Sequence, residues 1–413
     1  MGLVGAVLVI GGGVAGIQAS LDLADSGFKV YLLDKSPSIG GVMAQLDKTF
    51  PTNDCAMCIL APKLVGAGRH PNIQLLTYSE LEEVKGSAGN FRVKILKKPR
   101  YIDEAKCTGC GLCAQHCPVE VPNEFDMGLG VRKAIYVPFP QAVPLVYTID
   151  EENCLKCRLC EKVCRAGAIN LEQQPEEIEL NVGAIISATG FDPFDPSGIP
   201  AYGYGRYKNV ITSLEWERLL CASGPTGGHL VRPSDGKIPR KIAFIQCVGS
   251  RDEKTGNPYC SAVCCMYSIK EAVIAKEHNP DLDCAIFFMD MRSYGKEFDD
   301  YYIRAEKEHG IRFVRGRVSN IEEASESENL VLRYAEEGDP REEEFDLVVL
   351  SVGMRPPKYA KELAEKLGIG LNKYGFCSTG IFSPLETPKP GIYVCGAFLS
   401  PKDIPDSVAQ ASG

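Results

Sequence analysis

Eighteen of the 413 residues are cysteine, and most fall in patterns with the spacing of metal ligands. Residues 107–117 read CTGCGLCAQHC and residues 154–164 read CLKCRLCEKVC. Both are C-x2-C-x2-C-x3-C, the run that wraps a [4Fe–4S] cube. A tight loop aims three thiolates at three irons, and the fourth cysteine crosses to the other cube. The spacing assigns Cys107, Cys110, Cys113 and Cys164 to one cluster, with Cys154, Cys157, Cys160 and Cys117 on the second. Gly109 and Gly111 permit the close backbone approach such a loop needs. Two zinc sites are the rival reading, but zinc takes four ligands per ion and has no use for a repeated triplet-plus-one.

A third set has a different arrangement. After the apolar run KIAFI (241–245) come Cys247, twelve residues, Cys260, three residues, and the adjacent pair Cys264 and Cys265. Neighbouring thiols do not easily form a mutual disulfide, whereas adjacent thiolates can serve neighbouring irons of one cube. Structural cysteines at a helix start are the plainer alternative. We read the set as a third cluster site. Cys55 and Cys58 stand in C-x-x-C form and leave three readings open: half a cluster site completed elsewhere, a redox disulfide, or packing. Cys221, Cys284, Cys377 and Cys395 show no partner pattern and read as core thiols.

The elements that position these thiols follow from the glycines and apolar runs. VLVIGGGVAGIQAS carries Gly11, Gly13 and Gly16 in G-x-G-x-x-G form between an apolar strand and a helix. KVYLLDKS then supplies a second strand ending in Asp34 and Lys35, at the distance where an acid meets a ribose hydroxyl. Gly40 and Gly41 follow. Such glycines admit a pyrophosphate to a helix N-terminus, whose free amides and dipole favour its charge. FAD is preferred to NAD because GAIISATGF (183–191, with Gly190) and DLVVLSVGM (346–354) look like the chain crossings of a two-domain flavoprotein. The segment from 391, with Gly396, matches the place where a glycine meets the ribityl chain before a last helix. Further strands are expected near 73–78 and 91–97. From 211 to 355 strands and helices alternate as in a second Rossmann-like domain, yet that stretch contains no G-x-G-x-x-G. A nicotinamide pyrophosphate has no cradle there.

Bulk composition narrows the class. With 45% hydrophobic and 24% charged residues the chain reads as globular, and its net charge of −9 argues against nucleic acid and anionic membrane as partners. No apolar stretch approaches the roughly 20 residues of a membrane span. The N-terminal LVGAVLVIGGG lacks a basic start and reads as a buried strand rather than a signal. Clustered thiols without a secretory mark imply a reducing cytoplasm. The expected fold is α/β: two Rossmann-like domains with an inserted two-cluster ferredoxin module. The expected boundaries are 1–97, 179–210 and 356–413 for the FAD domain, 98–178 for the insertion, and 211–355 for the second Rossmann-like domain.

The whole arrangement resembles HdrA, the flavin-bearing component of heterodisulfide reductase. The pieces that carry the resemblance are VIGGGVAGIQASLDLADSG, FPTNDCAMCILAPKL, the doubled cluster run, C-x12-C-x3-CC and CCMYSIKEA. It implies a thioredoxin-reductase-like FAD protein with three [4Fe–4S] clusters that passes electrons between partner subunits, with flavin-based bifurcation as the family hallmark. It also implies that Lys270 lies near the flavin ring, where a cation would favour the anionic reduced form, with Glu217 as its pairing candidate and Glu215 as a neighbouring option. Expected partners are hydrogenase, formate dehydrogenase or disulfide-reductase modules, and a homodimer. Two details depart from the pattern: Arg165 stands where a proline usually closes the second run, and Ala397 where an aspartate usually follows the ribityl glycine. The family's larger members carry a further N-terminal domain and a C-terminal ferredoxin unit, whereas this sequence opens on its first Rossmann strand and stops at SVAQASG, inside an expected helix; a compact branch of the family and a continuing chain are both open readings. The rival functions are a non-bifurcating relay of a quinone-linked or ring-reducing complex, a stand-alone NAD(P)H or disulfide oxidoreductase, and a flavin-free cluster scaffold.

Overall fold

The computed structural model describes residues 3–413, which divide into two compact units. The first comprises residues up to Ala44, Cys58–Phe191 and Pro356–Gly413; the second comprises Gln45–Met57 and Asp192–Arg355. Among the described residues no helix is long and apolar enough to cross a membrane.

In the first unit, strand β1 (Ala6–Ile10) is buried at every position and runs parallel to β2 (Lys29–Asp34) on one side and to Ala184–Ser187 on the other. The sheet order is Ile392–Val394, Ala184–Ser187, β1, β2, Ile73–Thr77, all parallel. A central strand covered on both faces has to be apolar throughout, which is why AVLVI shows no alternation. Helix α1 (Val14–Asp25) follows β1 after three glycines. A second sheet pairs Ser79–Ser87, Asn90–Lys97 and Glu176–Val182 antiparallel. The first of these strands was not expected from sequence, because SELEEVKGS is mostly polar and exposed.

The position of the cluster runs follows from that pairing. Lys97 and Glu176 are direct partners in the ladder, so residues 98–175 leave and re-enter the sheet at adjacent points. An insertion there costs the surrounding core no pairing. It has its own small core of Ile102, Ile135, Val146 and Ile149, against which Cys107, Cys113, Cys117, Cys154, Cys160 and Cys164 pack. Arg100 is wholly buried and ties the insertion to its host. Its guanidinium donates to Thr148 Oγ1 at 2.9 Å within the insertion, and to Pro37 O at 2.6 Å and Thr77 Oγ1 at 2.5 Å outside it.

In the second unit, helix α2 (Ser213–Leu220) opens with a capping box between Thr212 and Glu215. Strand β3 (Lys241–Val248) lies at the centre of another five-stranded parallel sheet, ordered Val210–Thr212, Leu347–Val352, β3, Asp283–Phe288, Arg312–Arg315. Helix α3 (Cys264–His278) is buried from Cys264 to Met266 and from Ser268 to Ala275. The segment Gln45–Met57 packs within this unit: Phe50 meets the rings of Phe298 and Tyr301, and Tyr301 donates to Asn53 at 2.9 Å.

Candidate functional site

The glycines after β1 are fixed by close approach. A Cβ on Gly16 would overlap the Gly11 carbonyl oxygen, and one on Gly11, which has φ +104°, would overlap Ala188 O. Gly41 stands with its missing Cβ 2.9 Å from Gly13 Cα, while Gly13 and Gly190 look onto open space. Asp34 sits at the end of β2 and accepts from the Gly12 amide at 2.6 Å and the Ser36 amide at 2.7 Å. Burial pushes its carboxyl up, against those hydrogen bonds. Lys35 lies over the Tyr359 ring, 4.1 Å from its centroid. Gly40 has φ +137° and donates to Gly12 O at 2.7 Å.

Three hydroxyls of this unit, on Ser38, Ser187 and Thr189, are buried without a partner among the described residues. Unsatisfied buried donors are uncommon in a finished fold and fit a polar ligand. Together with the side-chain-free glycine approach they suit a dinucleotide. Gly396, in left-handed backbone, accepts from Lys402 Nζ at 3.0 Å and donates to Gln410 Oε1 at 3.2 Å. Burial brings Lys402 down to about 8.

The two cluster runs fold alike. Gly109 and Gly111 have φ +68° and +80°; the matching positions in the second run, Lys156 and Arg158, are left-handed too, at +53° and +58°. Each turn leads into a short helix, Leu112–Gln115 and Leu159–Val163. Cys113 lies close enough to Cys107 and Cys110 to feel their charge, and burial pushes its thiol up to about 12. Cys160 is likewise raised by burial and by Cys154 and Cys157. The Lys156 amide donates to Cys154 Sγ at 3.4 Å and the Ala168 amide to Cys164 Sγ at 3.3 Å. One cavity is lined jointly by Cys117, Cys154, Cys157 and Cys160, with Pro118, Leu155 and Leu159. Three of those thiols come from one run and the fourth from the other, the crossing that the spacing implies for a cube.

The third thiol set gathers at the C-terminal end of β3. Cys247, Cys260, Cys264 and Cys265 each lie within electrostatic reach of the others. Burial raises Cys247, lifts Cys264 well above the ordinary thiol and brings Cys265 to about 11. Thiols so placed stay protonated unless a cation replaces the proton, which is what a metal centre does. The loop is pinned by Ser250 and Ser261: the Ser261 amide donates to Ser250 Oγ at 3.0 Å, and Ser250 Oγ to Tyr259 O at 3.1 Å. The Ala262 amide donates to Cys260 Sγ at 3.4 Å. Amide donors on sulfur are one lever by which a protein sets a cluster's potential. Among the described residues no group of three or more His, Cys, Asp or Glu is drawn up tightly enough to hold a metal ion by itself. The thiol sets are converging loops rather than closed coordination shells.

Lys270 lies on α3, one turn beyond the thiol pair, and is 3% exposed. Its ammonium donates to Glu217 Oε1 and to Lys48 O at 3.0 Å. Glu217 Oε2 accepts from the Asp47 amide at 2.9 Å. Glu215 is otherwise engaged: it accepts from the Thr212 amide at 2.5 Å and from Tyr204 at 3.2 Å, so it serves the cap of α2. Cys55 and Cys58 are both exposed, Cys55 in the second unit and Cys58 in the first. Cys284, Cys377 and Cys395 are buried. Sequence reasoning missed Asp47 and Glu271, which adjoin the Lys270 pair; burial raises both carboxyls.

Three family models match parts of the chain. The pyridine nucleotide-disulphide oxidoreductase family matches residues 283–413, beyond the thiol loop. The FAD dependent oxidoreductase family matches 6–57, and the 4Fe-4S binding domain family matches 100–123 and 147–170. These matches mark segments typical of FAD dependent oxidoreductases and of 4Fe-4S proteins, on an α/β, thioredoxin-reductase-like fold. The T. acidophilum thioredoxin reductase superposes with a TM-score of 0.55 at 14% identity, covering 98% of this chain and 94% of that one. The Lactococcus lactis enzyme gives 0.52 at 15%, covering 98% and 95%.

Sequence similarity then narrows the class. The HdrA-type iron-sulfur subunit of CoB–CoM heterodisulfide reductase from Methanocaldococcus jannaschii is 56% identical over 410 residues, 98% of this chain. Its counterpart from Methanopyrus kandleri is 59% identical over 409, again 98% of this chain. The chain is similar to these subunits over 98% of its own length, and spans 62% of the length of these two relatives.

Proposed function

We propose that this chain is the electron-transfer core of a heterodisulfide-reductase-like complex, carrying one FAD and three [4Fe–4S] clusters. The observation that carries this reading is the convergence of Cys247, Cys260, Cys264 and Cys265 at the end of β3, where a nicotinamide loop would otherwise stand. The first unit holds FAD through Gly11, Gly13, Gly16, Asp34, Lys35, Gly40, Gly41, Gly190 and Gly396. The insertion holds two cubes, and the thiol loop of the second unit holds the third. The proposed division keeps an FAD domain, an inserted two-cluster module and a second Rossmann-like domain, but Gln45–Met57 and residues 192–210, expected in the FAD domain, pack with the second unit. Cys55 and Cys58 supply half of a further site that a longer chain or a partner completes.

When bound, the flavin converts between paired and single electrons, and the clusters conduct them singly. Lys270, held by Glu217, places a fixed cation where negative charge accumulates, and the glycine loop holds the cofactor's phosphates away from bulk water. Partner modules of hydrogenase, formate dehydrogenase or disulfide-reductase type supply and remove electrons in the cytoplasm, and the chain works as a dimer. Bifurcation is the function that fits best. A plain relay would give a stable flavin radical during titration, whereas a bifurcating flavin gives almost none. Anaerobic iron and flavin analysis tests the core of this reading. About twelve irons per flavin are expected, three cubes of four, falling to about eight in Cys260→Ala. Eight irons in both proteins would overturn it.

A further inference from the structure

Arg251 lies in the loop between β3 and α3, four residues past Cys247, and holds left-handed backbone at φ +57°. A long side chain takes that conformation where the surrounding structure enforces it. The Arg251 amide donates to Tyr259 O at 2.8 Å, closing the loop on itself. The side chain is committed at one end only. Nη2 donates to Asp290 Oδ2 at 2.8 Å, while Nη1 is buried and makes no hydrogen bond among the described residues. A buried donor on a permanent cation is costly to leave unmatched, so it marks a place where an acceptor belongs. The guanidinium stands beside Cys247, close enough to act on its sulfur through charge and as a donor.

The charges around the thiols point the same way. Arg292 acts on Cys247 and on Cys265, and its amide hydrogen is directed at the Cys265 sulfur. Arg315 shares Asp290 with Arg251, 3.5 Å from its Oδ1, and Arg317 pairs with Asp252 at 3.3 Å. Four arginines therefore stand against two aspartates around one sulfur set, in a chain whose net charge is −9. In the doubled cluster runs Lys106, Lys156 and Arg158 each have a carboxylate of their own, in Asp103, Glu151 and Glu172.

We propose that Arg251 sets the potential of the third iron–sulfur centre, its free guanidinium nitrogen reserved for sulfur of that centre, so that this cube is reduced before the two in the insertion. This rests on the reading that Cys247, Cys260, Cys264 and Cys265 hold a cube, and adds to it which residue poises it. A cube on four thiolates is an anion, and it gains one further negative charge on taking an electron from a low-potential one-electron donor. No bond forms or breaks and no proton moves. A fixed cation at the sulfur favours the reduced form by Coulombic attraction, and an N–H donor does the same. Asp290 aims the guanidinium without cancelling it, since Arg315 bears on the same carboxylate. Arg251 is a positioning residue: it acts on electron transfer through the sulfur.

An anaerobic redox titration followed by EPR, on the full cofactor-loaded chain, tests this. The signal that Cys260→Ala removes identifies the third cube. In the unsubstituted chain that signal appears at a higher potential than those of the other two. Arg251→Gln shifts its reduction equilibrium by about tenfold or more toward the oxidised form, about 59 mV for one electron, and leaves the other two cubes where they were. Arg251→Lys, which keeps the charge, shifts it less. A third cube reduced last or together with the others, an unchanged potential in Arg251→Gln at full iron content, or an equal shift of all three cubes would each overturn the proposal. Where Arg251→Gln loses its four irons, the unsubstituted chain decides. With 15N confined to arginine guanidinium groups, pulsed EPR of the reduced third cube shows a nitrogen coupling that Arg251→Lys lacks, and no such coupling overturns the proposal. Failure of the underlying cluster reading looks different: about eight irons and no third signal in the unsubstituted chain.

Discussion

The two five-stranded parallel sheets make the same architectural move and complete it with opposite chemistry. In each, the central strand runs into a loop and then a helix packed back on the sheet. After β1 only Gly11–Gly13 separate strand from helix, whereas after β3 the loop covers 249–263, fifteen residues. The first loop works by lacking side chains, since a Cβ on Gly11 or Gly16 would strike backbone. The second works through side chains, and aims them with left-handed backbone at non-glycine positions: Cys247 at φ +61°, Arg251 at +57° and Ala262 at +63°. Such positions cost of order 1 kcal/mol each. A phosphate is gripped by amides, so its loop must be short and bare; an iron cube is gripped by sulfur, so its loop must be long enough to bring thiols from both flanks.

The sharpest way to break this comparison is to exchange the losses. Gly16→Ala forces a methyl into the Gly11 carbonyl, and the expected outcome is a chain with flavin occupancy reduced about tenfold or more, its iron retained. Cys264→Ala is expected to lose roughly four irons and keep its flavin. Loss of both cofactors in either variant, read by absorption and iron assay, would mean that the two loops are not independent.

The next effect concerns the insertion. Arg100 is 0% exposed and links both sides of the joint through Thr148, Thr77 and Pro37. Arg100→Met leaves those acceptors dry and unpaired, while Glu104 keeps its ion pair with Lys97. A destabilisation of about 3 kcal/mol is expected, measured by denaturant unfolding of the loaded protein, with the cluster absorption lost before the flavin signal. Simultaneous loss would show the insertion and its host melting as one body.

How much of this was legible follows from what each feature asks of sequence. The glycine loop, the doubled cluster runs and the four-cysteine set are local, and their spacing is their signal. Lys270 and Glu217 lie 53 positions apart, and the Lys48 carbonyl is 222 positions from Lys270, so the pair came from resemblance and not from pattern. Glu271 was invisible because a buried glutamate on a helix reads as a solvated one. Nothing in FPTNDC announces that Gln45–Met57 packs with a unit whose other residues begin at Asp192. Lys156 and Arg158 were equally hidden: only Gly109 and Gly111 advertise a left-handed turn in composition, though all four adopt it.

That last contrast yields a smaller prediction. Lys156→Gly removes a left-handed side-chain penalty and is expected to be neutral or to stabilise by about 0.5 kcal/mol once the entropy of glycine is charged against it. Gly109→Ala, at φ +68° with Leu145 O 3.0 Å from the new Cβ, is expected to destabilise by about 1–2 kcal/mol. Thermal unfolding of the loaded protein separates the two, and equal losses would mean that the loops are not conformational twins.

The smallest effect separates the two units by pH. In the second unit, Glu343 accepts from Arg312, Lys241 and Tyr334; burial opposes ionisation, but these donors hold its carboxyl down at about 2. A folded value below the unfolded one gives stability that is present above the ordinary glutamate range and is lost as pH falls from about 4.5 to about 2. In the first unit, Lys402 carries the opposite sign. Burial lowers its folded value to about 8 against 10.5, so the unfolded chain binds more protons between those limits. The penalty of burying the ammonium applies below pH 8 and is relieved as pH rises toward 10.5. Each pKa unit corresponds to about 1.4 kcal/mol before solvent screening trims it. Glu343→Gln should therefore flatten the acid limb of a stability–pH curve and leave the alkaline limb alone, while Lys402→Met should do the reverse. Hydrogen exchange read separately on the two units is the measurement, and a variant that alters the limb assigned to the other unit would refute the split.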